Sequence, residues 1–250
     1  MPAETPGTPT AIFAADPNGA AMSLDFDLEP EFLDIYRQCR AETLTSIERM
    51  YALYKAVEHV VQTRIQGDFV ECGVWRGGSV MMMALAARHF GDTQRSMWLY
   101  DTFSGMTAPS SADIQAMTGR SAQDVLNANE KNETNPFWAV ASRDVVEANL
   151  HRTGYPIDRF TIVAGDVLGT LPASSPRQIA IIRLDTDWYE STRHELRCLY
   201  PLLVQGGVLI VDDYGYWKGV RKAVDEFFAL EARRPFLHRI DFTGRICTKI

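Results

Sequence analysis

The run Asp68-Phe69-Val70-Glu71-Cys72-Gly73-Val74-Trp75-Arg76-Gly77-Gly78-Ser79 decides how this chain is read. Asp68–Gly73 is a short apolar stretch of strand length, and the glycines that follow open a helical pattern over Ser79–Phe90. Four further apolar runs of the same kind come later, at Met97–Asp101, Phe160–Asp166, Ile179–Asp185 and Gly207–Asp213. Helical patterns follow the last two, at Tyr189–Val204 and Lys218–Leu230. Continuous apolar strands separated by helices predict a mostly parallel sheet covered on both faces, an α/β fold of Rossmann-like type. Leu237–Asp241 and Arg245–Ile250 are two more short strand candidates at the end.

Upstream of the run the pattern is helical from Glu31 to about Gln66. Leu44, Ile47, Met50, Leu53, Tyr54, Val57 and Val61 recur there at three- and four-residue steps. Thr45-Ser46-Ile47-Glu48 fits a capping box, so a helix is expected to begin near Thr45. Residues 1–22 are rich in Pro, Ala, Gly and Thr and read as a flexible tail. The expected organisation is therefore a tail over 1–22, a helical segment over 23–66 and one α/β domain over 67–250. The polar stretch Ser104–Ala141 interrupts the rhythm just after the second strand. A connection of that length is usually functional, and it is placed to fold over the sheet's ligand-binding edge as a lid.

Composition narrows the function. The chain has 250 residues, 46% of them hydrophobic, enough for a real core, and no apolar run long enough to span a bilayer. The N-terminus lacks the basic and apolar regions of a secretion signal, so a cytoplasmic protein is expected. A net charge of −7 without basic clusters argues against nucleic acid or an anionic membrane as partner. Cys39, Cys72, Cys198 and Cys247 are scattered with no C-x-x-C pair, and the five histidines show no ligand spacing.

Ligands of open α/β sheets bind beyond the carboxyl ends of the strands. Gly73, Gly77 and Gly78 suit a tight turn there, but the run is not G-x-G-x-x-G. Glu71 would repel a dinucleotide phosphate and suits a cationic ligand, such as the sulfonium and amino group of S-adenosylmethionine (SAM). Asp101 ends the second strand where an acid accepts ribose hydroxyls, and Asp166 ends the third within reach of an adenine amino group. The cofactor side is expected to comprise Glu71, Gly73, Trp75, Arg76, Gly78, Ser79, Asp101, Ser104 and Asp166.

A second constellation lies on the last strands. Asp185 and Asp187 follow the fourth, and Asp212 and Asp213 close the fifth. If those strands are neighbours, Asp185, Asp212 and Asp213 converge and need a cation to stay ionised together. A hard, oxygen-loving ion such as Mg2+, Mn2+ or Ca2+ fits. Asp187, already past the strand, is placed to face a bound substrate. The competing reading makes Asp185 and Asp187 an N-cap pair for the helix that follows.

Glu71–Ser79, Leu184–Thr192 and Val211–Gly215 resemble the macrocin and mycinamicin type of sugar O-methyltransferase. The resemblance runs from about Thr43 to the C-terminus. It implies a class I SAM-dependent methyltransferase fold, with Asp185, Asp212 and Asp213 on the metal, Asp187 as general base, and Glu71 and Asp101 on SAM. It further implies a homo-oligomer joined through the N-terminal helices, and a small, sugar-bearing hydroxyl acceptor. Thr186 and Trp188 stand where the family pattern has Gly and Leu, so Trp188 is expected to reshape the acceptor pocket. Four alternatives stay open on the residues alone. One is a catechol-type O-methyltransferase, although such enzymes place a lysine where Asp187 and Trp188 stand. The others are an NAD-dependent oxidoreductase, a divalent-metal phosphohydrolase and a non-catalytic SAM-binding module.

Overall fold

The computed structural model describes residues 29–250. The expected tail over 1–22 and the start of the 23–66 segment lie outside the described residues. Two helices come first, α1 (Pro30–Cys39) and α2 (Ile47–Gln62). Helix α2 begins one residue later than the capping box suggests. Ser46 is its N-cap, its hydroxyl accepting from the Arg49 backbone N–H, and no Glu stands at that third position to complete a box.

The alternation then runs β1 (Asp68–Cys72), α3 (Gly78–His89), β2 (Met97–Asp101), α4 (Ala122–Asn127), α5 (Arg143–Arg152), β3 (Phe160–Ala164), α6 (Val167–Thr170) and β4 (Ile179–Leu184). It continues with α7 (Tyr189–Leu199), β5 (Leu203–Val211), α8 (Lys218–Leu230), β6 (His238–Arg239) and β7 (Arg245–Thr248). All five expected strands are present, each within a few residues of its sequence bounds. The α7 pattern was expected to run on to Val204, but Pro201 turns the chain into a short 3-10 segment, Tyr200–Leu202, and β5 starts at Leu203.

The strands form one seven-stranded sheet in the order β3-β2-β1-β4-β5-β7-β6. The first five are mutually parallel, while β7 joins β5 antiparallel and β6 joins β7 antiparallel. Strand β1 therefore lies beside both β2 and β4, which makes its carboxyl end the point where the strand order reverses. Alternate residues of each strand feed opposite faces. Phe69, Ile181 and Ile210 pack under α1, α2 and α3, whereas Val70, Ile182 and Leu209 pack under α7 and α8. Among the described residues no helix is long and apolar enough to cross a membrane.

Residues 104–141 are not a bare loop. They carry α4, and the preceding turn is bridged to the start of α8 by Gln115 pairing with Trp217. Met106, Val125 and Phe137 from this stretch line the cavity described next, so it forms one wall of the site.

Candidate active site

Register brings the two constellations together. Cys72 on β1 pairs with Leu184 on β4, and Leu184 pairs with Val211 on β5, so Gly73, Asp185 and Asp212 leave the sheet side by side. Gly73 has φ +80°, and a Cβ added there would stand 2.0 Å from the Asp185 carbonyl oxygen. Only glycine lets the turn after β1 pass that close to the acidic loop after β4. A single cavity of about 430 Å³ spans both turns. Glu71, Gly73, Trp75, Ser79, Asp101 and Asp166 line it on the β1–β3 side, and Asp185, Asp187, Asp212 and Asp213 on the β4–β5 side.

Of the expected cofactor residues, three do not reach this cavity. Arg76 pairs with Glu42 instead, with Nε 3.1 Å from the carboxylate. Gly78 lies against the Glu42 backbone, and Ser104 turns toward Thr102 on an exposed bend. Asp101 serves the turn as much as the cavity. One of its oxygens accepts from the Val74 and Trp75 backbone N–H groups at 2.8 and 3.1 Å, and the other accepts from the Phe103 N–H at 2.8 Å. Trp75 and Phe103 have φ of +46° and +53°, so Asp101 holds together two turns that favour other conformations. Asp166 caps α6 by accepting from the Leu168 N–H at 2.9 Å. Glu71 is buried: one oxygen accepts from the Arg183 guanidinium, and the other has no partner in the protein. Burial pushes its carboxyl up to about 8, with Arg183 pulling the other way.

The acidic side is arranged around an arginine that the motif reading passes over. Arg183 is 2% exposed; it donates to Glu71, to Asp185 at 2.8 Å and to Asp212 at 2.5 Å. Burial alone would lower its pKa, but Asp185, Asp212 and Glu71 outweigh this and hold the charge firmly on it. Asp212 is engaged further by Arg49 from α2 and by the Thr45 hydroxyl at 3.2 Å. The carboxylates that gather are Asp185, Asp187 and Asp213, whose oxygens lie within 4.8 Å of one another. This departs from the sequence expectation, which grouped Asp212 with Asp185 and Asp213 and set Asp187 apart. The difference comes from the two guanidiniums and the Thr45 hydroxyl, which engage the Asp212 carboxylate. It comes also from the turn at Asp187, whose φ of +67° swings that residue back toward the strand ends.

Burial and the crowding of like charges push Asp185 and Asp213 well above the usual carboxylate range, and Asp187 up to about 7. One Asp213 oxygen is buried without a partner. Thr186, between Asp185 and Asp187, donates to Glu195 of α7 at 2.9 Å, and burial pushes that wholly buried acid up to about 8. The competing N-cap reading is not what the helix shows: the cap residue of α7 is Trp188, and neither Asp185 nor Asp187 bonds its first amides. Sequence signals existed for some of these residues. Arg183 is a lone charge in an otherwise apolar strand, Ile-Ile-Arg-Leu, and Glu195 falls on the apolar face of α7.

The sequence profile of the macrocin O-methyltransferase (TylF) family matches residues 32–249. This chain belongs to that family. It is accordingly a SAM-dependent O-methyltransferase, which sets aside the oxidoreductase and phosphohydrolase alternatives. Proteins similar to it include the 8-demethyl-8-(2,3-dimethoxy-α-L-rhamnosyl)-tetracenomycin-C 4'-O-methyltransferase of Streptomyces olivaceus. The two are 34% identical over 218 residues, 87% of this chain and 79% of that protein. The mycinamicin III 3''-O-methyltransferase of Micromonospora griseorubida is 28% identical over 187 residues, 75% of this chain and 70% of that protein. The solved O-methyltransferase NovP superposes with a TM-score of 0.70 at 30% identity, over 83% of this chain and 82% of that one. The calicheamicin methyltransferase CalS11, at 16% identity and a TM-score of 0.58 over 87% of this chain and 91% of that one, shares the fold.

Proposed function

We propose that this macrocin-family enzyme methylates a hydroxyl of a sugar or glycosylated small molecule. SAM would lie on the Glu71–Asp101 side, a divalent cation at the carboxylates, and Asp187 would be the general base. The single cavity that joins the glycine turn to the carboxylate cluster carries this reading, because direct methyl transfer needs donor and acceptor in one water-poor space. The name of the S. olivaceus relative supplies the acceptor class, a rhamnosyl-bearing tetracenomycin, and the M. griseorubida relative acts on mycinamicin III.

The chain's own groups support each role. The unpartnered, buried oxygen of Glu71 suits an ammonium such as the amino group of SAM. Three crowded carboxylates, one with a buried oxygen lacking any partner, suit a hard cation. Asp185 and Asp213 would hold it, and Asp212 would join them only by releasing one of its guanidiniums. Bound there, such an ion would make an acceptor hydroxyl easier to deprotonate. Asp187, on the turn past β4 and facing the cavity, would take that proton. SAM, held on the Glu71–Asp101 side, would supply the methyl group to that oxygen and leave as S-adenosylhomocysteine (SAH).

Calorimetry with SAM and SAH, with and without Mg2+ and with NAD as control, tests the first half. Saturable SAH binding with none for NAD is expected, and no binding of either adenosyl ligand would sink the assignment. A panel of deoxysugar glycosides then tests the acceptor. Asp187→Asn is expected to abolish turnover with SAH affinity nearly unchanged; retained turnover would refute the base.

A further inference from the structure

Helix α7 starts two residues after Asp187, and its cap residue, Trp188, supplies no side-chain acceptor. The acceptor comes instead from Asp113, in the 104–141 segment. Its Oδ1 accepts from the Tyr189 backbone N–H at 2.7 Å, across a sequence separation of 76. Asp113 is 0% exposed, and its Oδ2 accepts from the N–H and the hydroxyl of Ser110 at 2.7 and 2.8 Å. Three donors thus satisfy this buried carboxylate at the N-terminus of α7.

The surroundings are built to receive it. The Trp188 indole N–H donates to the Thr107 carbonyl at 3.1 Å, and the Lys218 N–H, at the start of α8, donates to the Ile114 carbonyl at 2.9 Å. A Cβ at Gly219, in the first turn of α8, would stand 2.0 Å from Asp113 Oδ1 and 3.1 Å from the Tyr189 Cβ. Gly219 sits in ordinary helical backbone, where alanine is the better helix former, so the bare position serves the carboxylate's approach. Asp113 thus closes a three-way joint between the 104–141 segment, α7 and α8, and the turn carrying Asp187 issues directly from it.

We propose that Asp113, seated against Gly219, is the positioning residue for Asp187. It holds the first turn of α7 so that the Asp185–Asp187 turn keeps Asp187 in the carboxylate cluster. The proposal rests on the reading that this cluster binds a divalent cation, and Mn2+ alone is the probe. Free Mn2+ is followed by electron paramagnetic resonance, and SAH affinity by calorimetry on the same samples. Asp187→Asn is the reference and is expected to weaken Mn2+ binding roughly tenfold or more. Asp113→Ala and Gly219→Ala are expected to reproduce that loss with SAH affinity within about twofold of the parent, as supporting-shell changes do. Asp113→Asn, which keeps an oxygen for the Tyr189 N–H, is expected to restore Mn2+ binding to within about threefold, again on the scale of such changes.

Loss in Asp187→Asn without loss in Asp113→Ala and Gly219→Ala would overturn the positioning role alone. Parallel loss of SAH binding in those two variants would also overturn it, since the joint would then be merely structural. Absence of Mn2+ binding in the parent protein would overturn the cation reading itself.

Discussion

Replacing Glu195 by Gln should stabilise the protein near pH 8 and change it little near pH 5. Glu195 is wholly buried on α7, with Thr186 as its hydrogen-bond donor at 2.9 Å. Burial raises its pKa from 4.5 to about 8 in the folded protein, against the pull of the Thr186 hydroxyl. In the unfolded chain the acid has an ordinary value. A folded pKa raised in this way makes a stabilising contribution that is full below the unfolded value and is lost as pH climbs toward 8. At about 1.36 kcal/mol per pKa unit, the gap between 4.5 and about 8 sets a ceiling of about 5 kcal/mol. Relaxation and water entry lower the effective penalty for a buried charge, so about 2 kcal/mol is the working expectation. Gln keeps an oxygen for Thr186 and never ionises. Thermal melts of both proteins from pH 5 to pH 8 read the effect, and the difference between them cancels the titration of Asp185 and Asp187 common to both. The melting-temperature gap should open by roughly 4–8 °C toward pH 8. A variant less stable than the parent by the same amount at every pH would refute the reasoning. The carboxylate would then be charged throughout and held so by its partners.

Arg183→Met should cost about 3–5 kcal/mol in urea unfolding at pH 7, because it takes the guanidinium from Glu71 and Asp185 and leaves Asp212 with Arg49 alone. A loss under about 1 kcal/mol at pH 7 would show the pairing to be dispensable. Glu71, pushed up to about 8, is protonated at pH 7, and an ammonium beside its free oxygen would favour the ionised form. SAH binding at pH 7 should therefore release a proton, seen as a binding enthalpy that depends on the buffer's ionisation enthalpy. The dependence should vanish above about pH 9 and in Glu71→Gln; equal enthalpies in all buffers at pH 7 would count against Glu71 as the ammonium partner.

The sheet was legible because its strands are continuous apolar runs, the pattern that burial on both faces imposes. The positions of Glu71, Asp101 and Asp185 at strand ends followed from the same alternation, since a residue that ends a parallel strand must face the ligand edge. What escaped was of another kind. Arg49 reaches Asp212 from a helix that the sequence gives no reason to place over β5, a separation of 163 residues. Asp101 was expected to hold a ligand and spends its lone pairs largely on the backbone amides of neighbouring turns, a use that depends on φ values no motif records. Local pattern reports which face a residue takes; it does not report which partner across the fold will claim its charge.

The stretch Asp185-Thr186-Asp187-Trp188-Tyr189 shows why that matters. An aspartate just before a helix is equally good as an N-cap and as a group for chemistry, and the sequence cannot separate the two. The fold separates them by supplying the cap from elsewhere. Asp113 satisfies the Tyr189 amide and Trp188 takes the cap position, so neither Asp185 nor Asp187 is consumed by the helix. Arg183 and Arg49 then claim Asp212, and Glu195 holds Thr186. Each partner removes one competing use for the loop's polar groups, until the carboxylates that gather at the cavity are Asp187 and Asp213 beside the Arg183-paired Asp185. Burial raises the pKa of each of the three, so the folded chain holds these acids where their ionised form is disfavoured. The preference that the proposed site would have for a positively charged guest is thus set less by its acids than by the buried groups around them that decide how each acid is engaged.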